Sequence, residues 1–373
     1  MLLINPDCKV NKDIPNIGLA YIATYFGAKV IDLNTSLKPR NRFLRQQSDL
    51  LGISVQSRCY REASRIAGLY QARYPNAQVK SVSGILSVQC CYPYLKLADD
   101  LYVNQEFSDA LSFPNYELFD SFGLFLKNWQ KDKWRYALMT SRGCPYLCLY
   151  CAARNSHWQA RSAQNCYKEI KSAQKKWGIK SFLIIDDCFN IDRQRVMEFC
   201  DLIRPLGLSW SCANGLRADR FDAQLARKMK DSGCDYVGFG IESIDPKVLE
   251  AVNKGESIGQ IEDALENAKR YFKQINGYFI IGLPKSTYEK DINSLKWARE
   301  RQINAFFSYY IPPDSMLDRL FYGPQARAVS REYPARLQEE IYALTKSMRP
   351  KEDSEYLFKG LLDNIRLFWK KEF

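Results

Sequence analysis

Ser141-Arg-Gly-Cys-Pro-Tyr-Leu-Cys-Leu-Tyr-Cys151 is the stretch around which the chain is organised. It sets Cys144, Cys148 and Cys151 in the spacing C-x3-C-x2-C. Thiolates are soft ligands, and three this close in sequence can converge on one metal centre. Gly143 and Pro145 flank the first cysteine and suit a loop that turns back on itself. Spacing alone leaves two metal readings open. A zinc knuckle wants a nearby fourth Cys or His; His157 and Cys166 are at hand, but neither gives a standard finger spacing. A [4Fe-4S] cluster normally takes four cysteines, so three leave one iron open to a small molecule.

Outward from this loop, strand-like runs recur at 134–140, 181–186, 208–213, 236–241, 277–281 and 305–310. Amphipathic helical runs lie between them, at 164–176, 193–204, 222–232, 258–272 and 290–300. About six β/α units in succession predict a partial (β/α)6 TIM barrel of parallel strands over 134–310. Catalytic residues in such barrels sit at the carboxyl ends of the strands. The cysteine loop directly follows the first strand, where that rule places chemistry.

Residues 1–108 read as a separate α/β domain with a Rossmann-like parallel sheet. Strands are expected at 1–5, 29–33, 50–55 and 78–83, with helices at 17–26 and 60–74. Ligands of such sheets lie beyond the carboxyl ends of the strands. Those ends carry Asn5 and Pro6, then Ser54, Val55 and Gln56, then Ser83 and Gly84, small or polar residues that allow close approach of a large ligand. Residues 109–133 read as a connector and 311–373 as a mainly helical C-terminal cap.

Composition narrows the class. At 373 residues with 46% hydrophobic content the chain can bury a sizeable core. It opens Met-Leu-Leu-Ile-Asn-Pro-Asp, without a basic region, and has no apolar run of about 18 residues, so no signal peptide or membrane span is expected. The expected location is the cytoplasm. Twelve cysteines without a secretory signal predict thiols or metal ligands rather than disulfides, most of the other nine being small buried hydrophobes. The net charge of +12 is spread along the chain, without an Arg-rich run or aromatic-interleaved RNA signature. A solvated basic surface is expected, not a nucleic-acid site. An acidic electron donor such as a flavodoxin or ferredoxin would be a partner, because a reducible cluster needs an electron source.

A C-x3-C-x2-C loop after the first strand of a six-unit barrel resembles the radical S-adenosylmethionine (SAM) superfamily. Tyr150 holds the aromatic position before the third cysteine, where family members contact adenine. Phe182-Leu-Ile-Ile-Asp-Asp187-Cys-Phe-Asn190, Val237-Gly-Phe-Gly-Ile-Glu-Ser243 and Gly277-Tyr-Phe-Ile-Ile-Gly-Leu-Pro284 are similar to the branch with a cobalamin-binding domain before the barrel. Pro15-Asn-Ile-Gly-Leu-Ala-Tyr-Ile-Ala23 and Ile53-Ser-Val-Gln56 resemble that domain. Two departures stand out. His157 is the one histidine, so an Asp-x-His-x-x-Gly motif that ligates cobalt from below cannot occur before it. Cobalamin would then be bound with water, a non-His side chain or no lower ligand. The usual Gly-Gly of the fourth strand is Ser83-Gly84.

The resemblance implies the following roles. Cys144, Cys148 and Cys151 would hold a [4Fe-4S] cluster whose open iron is chelated by the methionyl group of S-adenosyl-L-methionine. Glu242 and Ser243 would bind its ribose or amine, or else form a buried polar pair. Arg217 would fork onto its carboxylate, or else pair with Asp219 or Asp222. Asp186 would make a polar contact, and Ile280 and Gly282 would flank the adenine or simply pack in their strand. Tyr309 and Tyr310 would face substrate or fill the core. The expected activity is cobalamin-dependent radical methyl transfer to an unactivated carbon of a small molecule or a peptide or protein side chain. The alternatives are a radical SAM mutase, cyclase or dehydrogenase, and, from another class, a zinc-containing RNA-binding protein.

Overall fold

The computed structural model describes residues 1–7, 15–35, 37, 39–55, 60–82, 107–151, 153–212 and 214–310. They sort into a first compact unit (1–146, 152–214 and 224–235) and a second (147–151, 215–223 and 236 onward).

In the first unit, β1 (Leu2–Asn5), β2 (Lys29–Asp32), β3 (Leu50–Ser54) and β4 (Gln78–Val82) form a parallel sheet in the order β2-β1-β3-β4. Nearly continuous apolar runs are what a parallel sheet covered on its faces requires. Leu2, Ile4, Ile31, Leu51 and Ile53 bury against Ile66 and Tyr70 of α2 (Tyr60–Arg73). Helix α1 (Ile17–Phe26) starts at Asn16, whose side chain accepts from Leu19 N, and stops at Gly27 in the left-handed region. The chain leaves β1 for β2 on one side and β3 on the other, so the order switches at β1. There Asn16 Nδ2 donates to Asn5 Oδ1 (3.1 Å) and Ser54 Oγ (3.2 Å), and Asn5 Nδ2 donates to Asp32 Oδ1 (2.8 Å).

The same unit holds a second parallel sheet, β5-β8-β9: β5 (Tyr136–Leu138), β8 (Ser181–Ile184) and β9 (Ser209–Cys212). A two-residue antiparallel pair, β6 (Ser141–Arg142) with β7 (Gln159–Ala160), brackets the cysteine loop. Helix α3 (Phe122–Gln130) lies within the stretch read as a connector. Its Trp129 meets Tyr116, Phe125, Tyr136 and Trp177 ring to ring, at centroid distances of 5.4–5.9 Å. Helices α4 (Ala163–Trp177) and α5 (Arg193–Ile203) are capped by Ser162 and Asp192. Arg161 and Glu169, each 1% exposed, pair at 2.5 Å; Arg161 Nη1 also donates to Tyr21 OH (3.1 Å) and Tyr136 OH to Glu169 (2.8 Å). This buried pair ties α1 to β5 and α4.

After α6 (Ala223–Asp231), the second unit is built on β10 (Val237–Glu242), β11 (Ile275–Ile281) and β12 (Asn304–Tyr309), again parallel and in sequence order. Helices α7 (Pro246–Ala251), α8 (Ile258–Lys269) and α9 (Tyr288–Glu300) follow the strands. The chain is thus an α/β protein of parallel sheets. Among the described residues no helix is long and apolar enough to cross a membrane, and no cysteine is in a disulfide. The C-terminal cap at 311–373, Gln56, Ser83, Gly84 and the side chain of Tyr309 lie outside the described residues.

Asp32 is 2% exposed and accepts hydrogen bonds from Asn5, Asn34 N and Ser121 Oγ. Burial pushes its carboxyl up to about 6, against the pull of those donors. An acid raised in the folded state stabilises fully below its unfolded pKa and loses that contribution as pH rises through the folded one. Urea unfolding across pH is expected to show stability falling between about pH 4 and pH 6, by about 3 kcal/mol from this group. Asp32→Asn should flatten that slope; an unchanged slope in the variant contradicts the assignment.

Candidate functional site

The root of the cysteine loop is held by two carboxylates just past β8. Thr140 N donates to Asp186 Oδ1 at 2.7 Å, and Thr140 Oγ1 and Ser141 Oγ donate to Oδ2 at 2.5 and 2.7 Å. The guanidinium of Arg195, itself donating to Thr140 Oγ1, stands 3.9 Å from the same carboxylate. Asp187 Oδ2 accepts from Gly143 N at 2.9 Å. Burial raises the Asp187 carboxyl, the Gly143 bond opposes this, and the neighbouring Asp186 adds to the rise. Gly143 has φ +83°, and a Cβ there would lie 2.2 Å from the His157 carbonyl oxygen. The loop then doubles back: Cys144 N donates to Ser156 Oγ (2.8 Å), Ser156 N to Cys144 O (3.0 Å) and Asn155 N to Tyr146 O (2.8 Å).

The far half of the loop belongs to the second unit. Cys151 N donates to Cys148 O at 3.0 Å, and Leu149 N to Val252 O at 2.9 Å. Tyr150 OH donates to Glu242 Oε1 at 3.1 Å, and its ring packs with Ile280 and Tyr310 on Val248, Val252 and Leu283. Cys148 is buried, while Cys144 and Cys151 are half-buried. Among the described residues no three Cys, His, Asp or Glu side chains stand gathered as a ready cage. Three cysteines on a loop pinned through its backbone fit a centre that gathers its own ligands as it binds.

Glu242 ends β10 at φ +64°, after a register shift between Gly240 and Glu242. Its Oε1 lies 3.3 Å from Lys254 Nζ, which is also 3.0 Å from Glu256 Oε2. A Cβ at Gly240 would stand 2.7 Å from Glu242 Oε1 and 3.1 Å from Lys254 Nζ, so glycine leaves room for the pair. Glu256 Oε1 accepts from Ala218 N at 2.6 Å. Burial raises the Glu242 carboxyl while Lys254 pulls it back. Burial alone would lower the Lys254 ammonium, but Glu242 and Glu256 hold it well above its ordinary value. Tyr150 is raised by burial and by Glu242, so it stays a neutral donor.

The residues singled out in the sequence are distributed as follows. Tyr150 and Glu242 meet, and Ile280 packs on the same apolar cluster. Gly282 N donates to Asp291 Oδ2 at 2.9 Å, and buried Ser243 accepts from Asp245 N. Both oxygens of Asp186 serve the loop root. Arg217 forks onto Asp219 at 2.8 and 3.1 Å and also donates to the carbonyls of Lys254 and Gly255. Asn5 and Ser54 meet through Asn16, Pro6 is buried and Val55 half-buried beside them. Sequence reasoning passed over Lys254 and Glu256. Their signal is slight: two opposite charges in Asn253-Lys-Gly-Glu256, just before the cap of α8, carry no local mark of burial.

Residues 138–313 match the model of the radical SAM superfamily. This stretch is a radical SAM domain. It runs from within β5 through the cysteine loop to the residues just after β12, and a domain of this superfamily implies S-adenosylmethionine and a [4Fe-4S] cluster. A protein of Pyrococcus horikoshii named as an uncharacterized methyltransferase is 32% identical over 200 residues, 52% of this chain and 42% of its own length. The chain therefore spans less than half of that relative. The methyltransferase TsrM of Kitasatospora setae, solved with tryptophan and a SAM analogue, superposes with a TM-score of 0.63 at 15% identity over 82% of this chain and 72% of its own. The cobalamin-dependent enzyme OxsB, solved with aqua-cobalamin and S-adenosylmethionine, gives 0.63 at 17% identity over 89% of this chain and 56% of its own. At these identities the likeness is one of fold.

Gly143→Ala is expected to prevent the root of the radical SAM loop from closing against His157. After anaerobic reconstitution its iron content should fall by more than half relative to wild type, with the N-terminal sheet still folded by circular dichroism. Full iron content in the variant would contradict this account of the loop.

Proposed function

We propose that the chain is a cobalamin-dependent radical SAM methyltransferase acting on an unactivated carbon of a small molecule or of a peptide or protein side chain. The observation that carries the reading is the reach of the fold likeness. TsrM and OxsB align with 82% and 89% of the chain, far more than residues 138–313, so the likeness extends into the sheet in front of the radical SAM domain. The three cysteines on one loop, whose root is held by Asp186 and Asp187, support the cluster assignment.

In this reading Cys144, Cys148 and Cys151 hold the cluster. S-adenosylmethionine, the cluster and cobalamin supply the radical and methyl-transfer chemistry when bound. Asp186 and Asp187 fix the loop root, so that the first thiol is presented from a rigid base. Tyr150 keeps its proton and orients Glu242. Glu242, with Ser243, is assigned to polar groups of S-adenosylmethionine, and Ile280 and Gly282 to its adenine. Arg217 acts by holding the 254–256 turn through Asp219 and two carbonyls. The parallel sheet within 1–108 is assigned to cobalamin, with Asn5, Pro6, Ser54, Val55, Gln56, Ser83 and Gly84 at its edge and 109–133 as connector to the barrel at 134–310. Buried Asn5 and Asp32 give that edge a fixed polar rim. Tyr309 and Tyr310 are assigned to the substrate side. A basic chain in the cytoplasm would draw its electron from an acidic carrier such as a flavodoxin or ferredoxin.

Cys148→Ala is expected to abolish 5′-deoxyadenosine formation under reducing, anaerobic conditions while corrin absorbance persists. Deoxyadenosine formed at the wild-type rate would mean that these cysteines are not the cluster site. Corrin absent from the wild-type protein after reconstitution would remove the methyltransferase reading and leave the other radical SAM activities.

A further inference from the structure

We propose that Lys254 is a positioning residue that sets how readily the cluster held by Cys148 takes up an electron, acting through Glu242, Tyr150 and its own buried charge. The proposal rests on the assignment of the cysteine loop to a [4Fe-4S] cluster. The step concerned is a one-electron reduction, the cluster passing from 2+ to 1+ with the electron coming from a low-potential one-electron donor and no proton taken up.

The geometry is a short chain of contacts inside one compact unit. Leu149 N, next to Cys148, donates to the carbonyl of Val252 at 2.9 Å, which brings the 252–256 turn against the loop. Tyr150 OH donates to Glu242 Oε1 at 3.1 Å, and Lys254 Nζ stands 3.3 Å from that oxygen. Lys254, Glu242 and Glu256 are 5%, 8% and 6% exposed. Water screens a cluster of charges at this depth poorly, so each acts at longer range than at the surface.

Packing alone does not account for this arrangement. Apolar side chains of similar size usually fill such a place at no loss of stability, because desolvating an ion can exceed what its partner returns. The fold nevertheless keeps a glycine at 240, where a Cβ would meet Glu242 Oε1 and Lys254 Nζ. A buried cation favours the reduced, more negative cluster, and a buried carboxylate opposes it. Charge and hydrogen bonding around the thiolates are among the ways a protein tunes such a centre. Lys254 therefore offsets Glu242 and Glu256, and it also fixes the carboxylate to which Tyr150 is bonded.

The test is a potentiometric titration of the anaerobically reconstituted full chain, followed by electron paramagnetic resonance of the reduced cluster. Lys254→Gln should lower the midpoint so that the reduced-to-oxidised ratio at a fixed solution potential falls about tenfold, or 59 mV for one electron. Glu256→Gln, which keeps an acceptor for Ala218 N, should shift it the opposite way. Lys254→Arg should stay near wild type. Opposite shifts separate electrostatics from a merely structural role, which would move both neutral variants alike or neither. Unmoved midpoints, or shifts of one sign, overturn the proposal. Should Lys254→Gln not fold, Glu256→Gln decides alone, and a midpoint unchanged or lowered overturns it. A wild-type chain that takes up no cluster would instead defeat the assignment of the cysteine loop.

Discussion

The grip of Asp186 and Asp187 on residues 140–143 is the constraint on which the cysteine loop depends. A loop must satisfy its own backbone donors or expose them to water. Here Asp186 takes three donors and Asp187 takes the amide of Gly143. The two carboxylates are adjacent at the end of a strand and so diverge, each reaching a different part of the same root. Arg195 stands behind the first carboxylate and offsets part of the cost of burying it. The loop thus leaves β6 along a fixed path through Gly143, where a Cβ would lie 2.2 Å from the His157 carbonyl oxygen.

The second unit treats its half of the loop in another way. There a buried charge group stands beside the Leu149–Val252 backbone bond, with Glu242 strained at positive φ and Lys254 set between two carboxylates. Strain and buried charge of this kind are tolerated where the surroundings hold them, and they gather at functional sites. Tyr150 joins this charge group to the apolar cluster of Val248, Val252 and Leu283. The root is thus fixed by carboxylates, and the far end by the Leu149–Val252 backbone bond and the ring of Tyr150.

Much of this was legible in the sequence because it is written in period. The strand and helix runs repeat regularly, and the described elements follow them closely. The three cysteines are a local motif and needed no tertiary knowledge. The α3 helix was hidden by a stretch of aromatics that reads as irregular until Trp129 is seen at the centre of a ring cluster. The β6–β7 pair is two residues long and leaves no alternation to detect. Partner choice was the harder matter. Asp186 and Arg217 stand near strand ends in the sequence, but their partners in the fold, the loop root and Asp219, are fixed by distance in space. Lys254 and Glu256 look like surface charges, since nothing local marks a turn as buried.

The central claim is that the cysteine loop carries an iron–sulfur cluster with three protein ligands. The most direct test is metal and acid-labile sulfide analysis of the protein purified and reconstituted without oxygen. The account predicts about four irons and about four sulfides per chain, lost together when the three cysteines are replaced. One zinc per chain with no sulfide would contradict it.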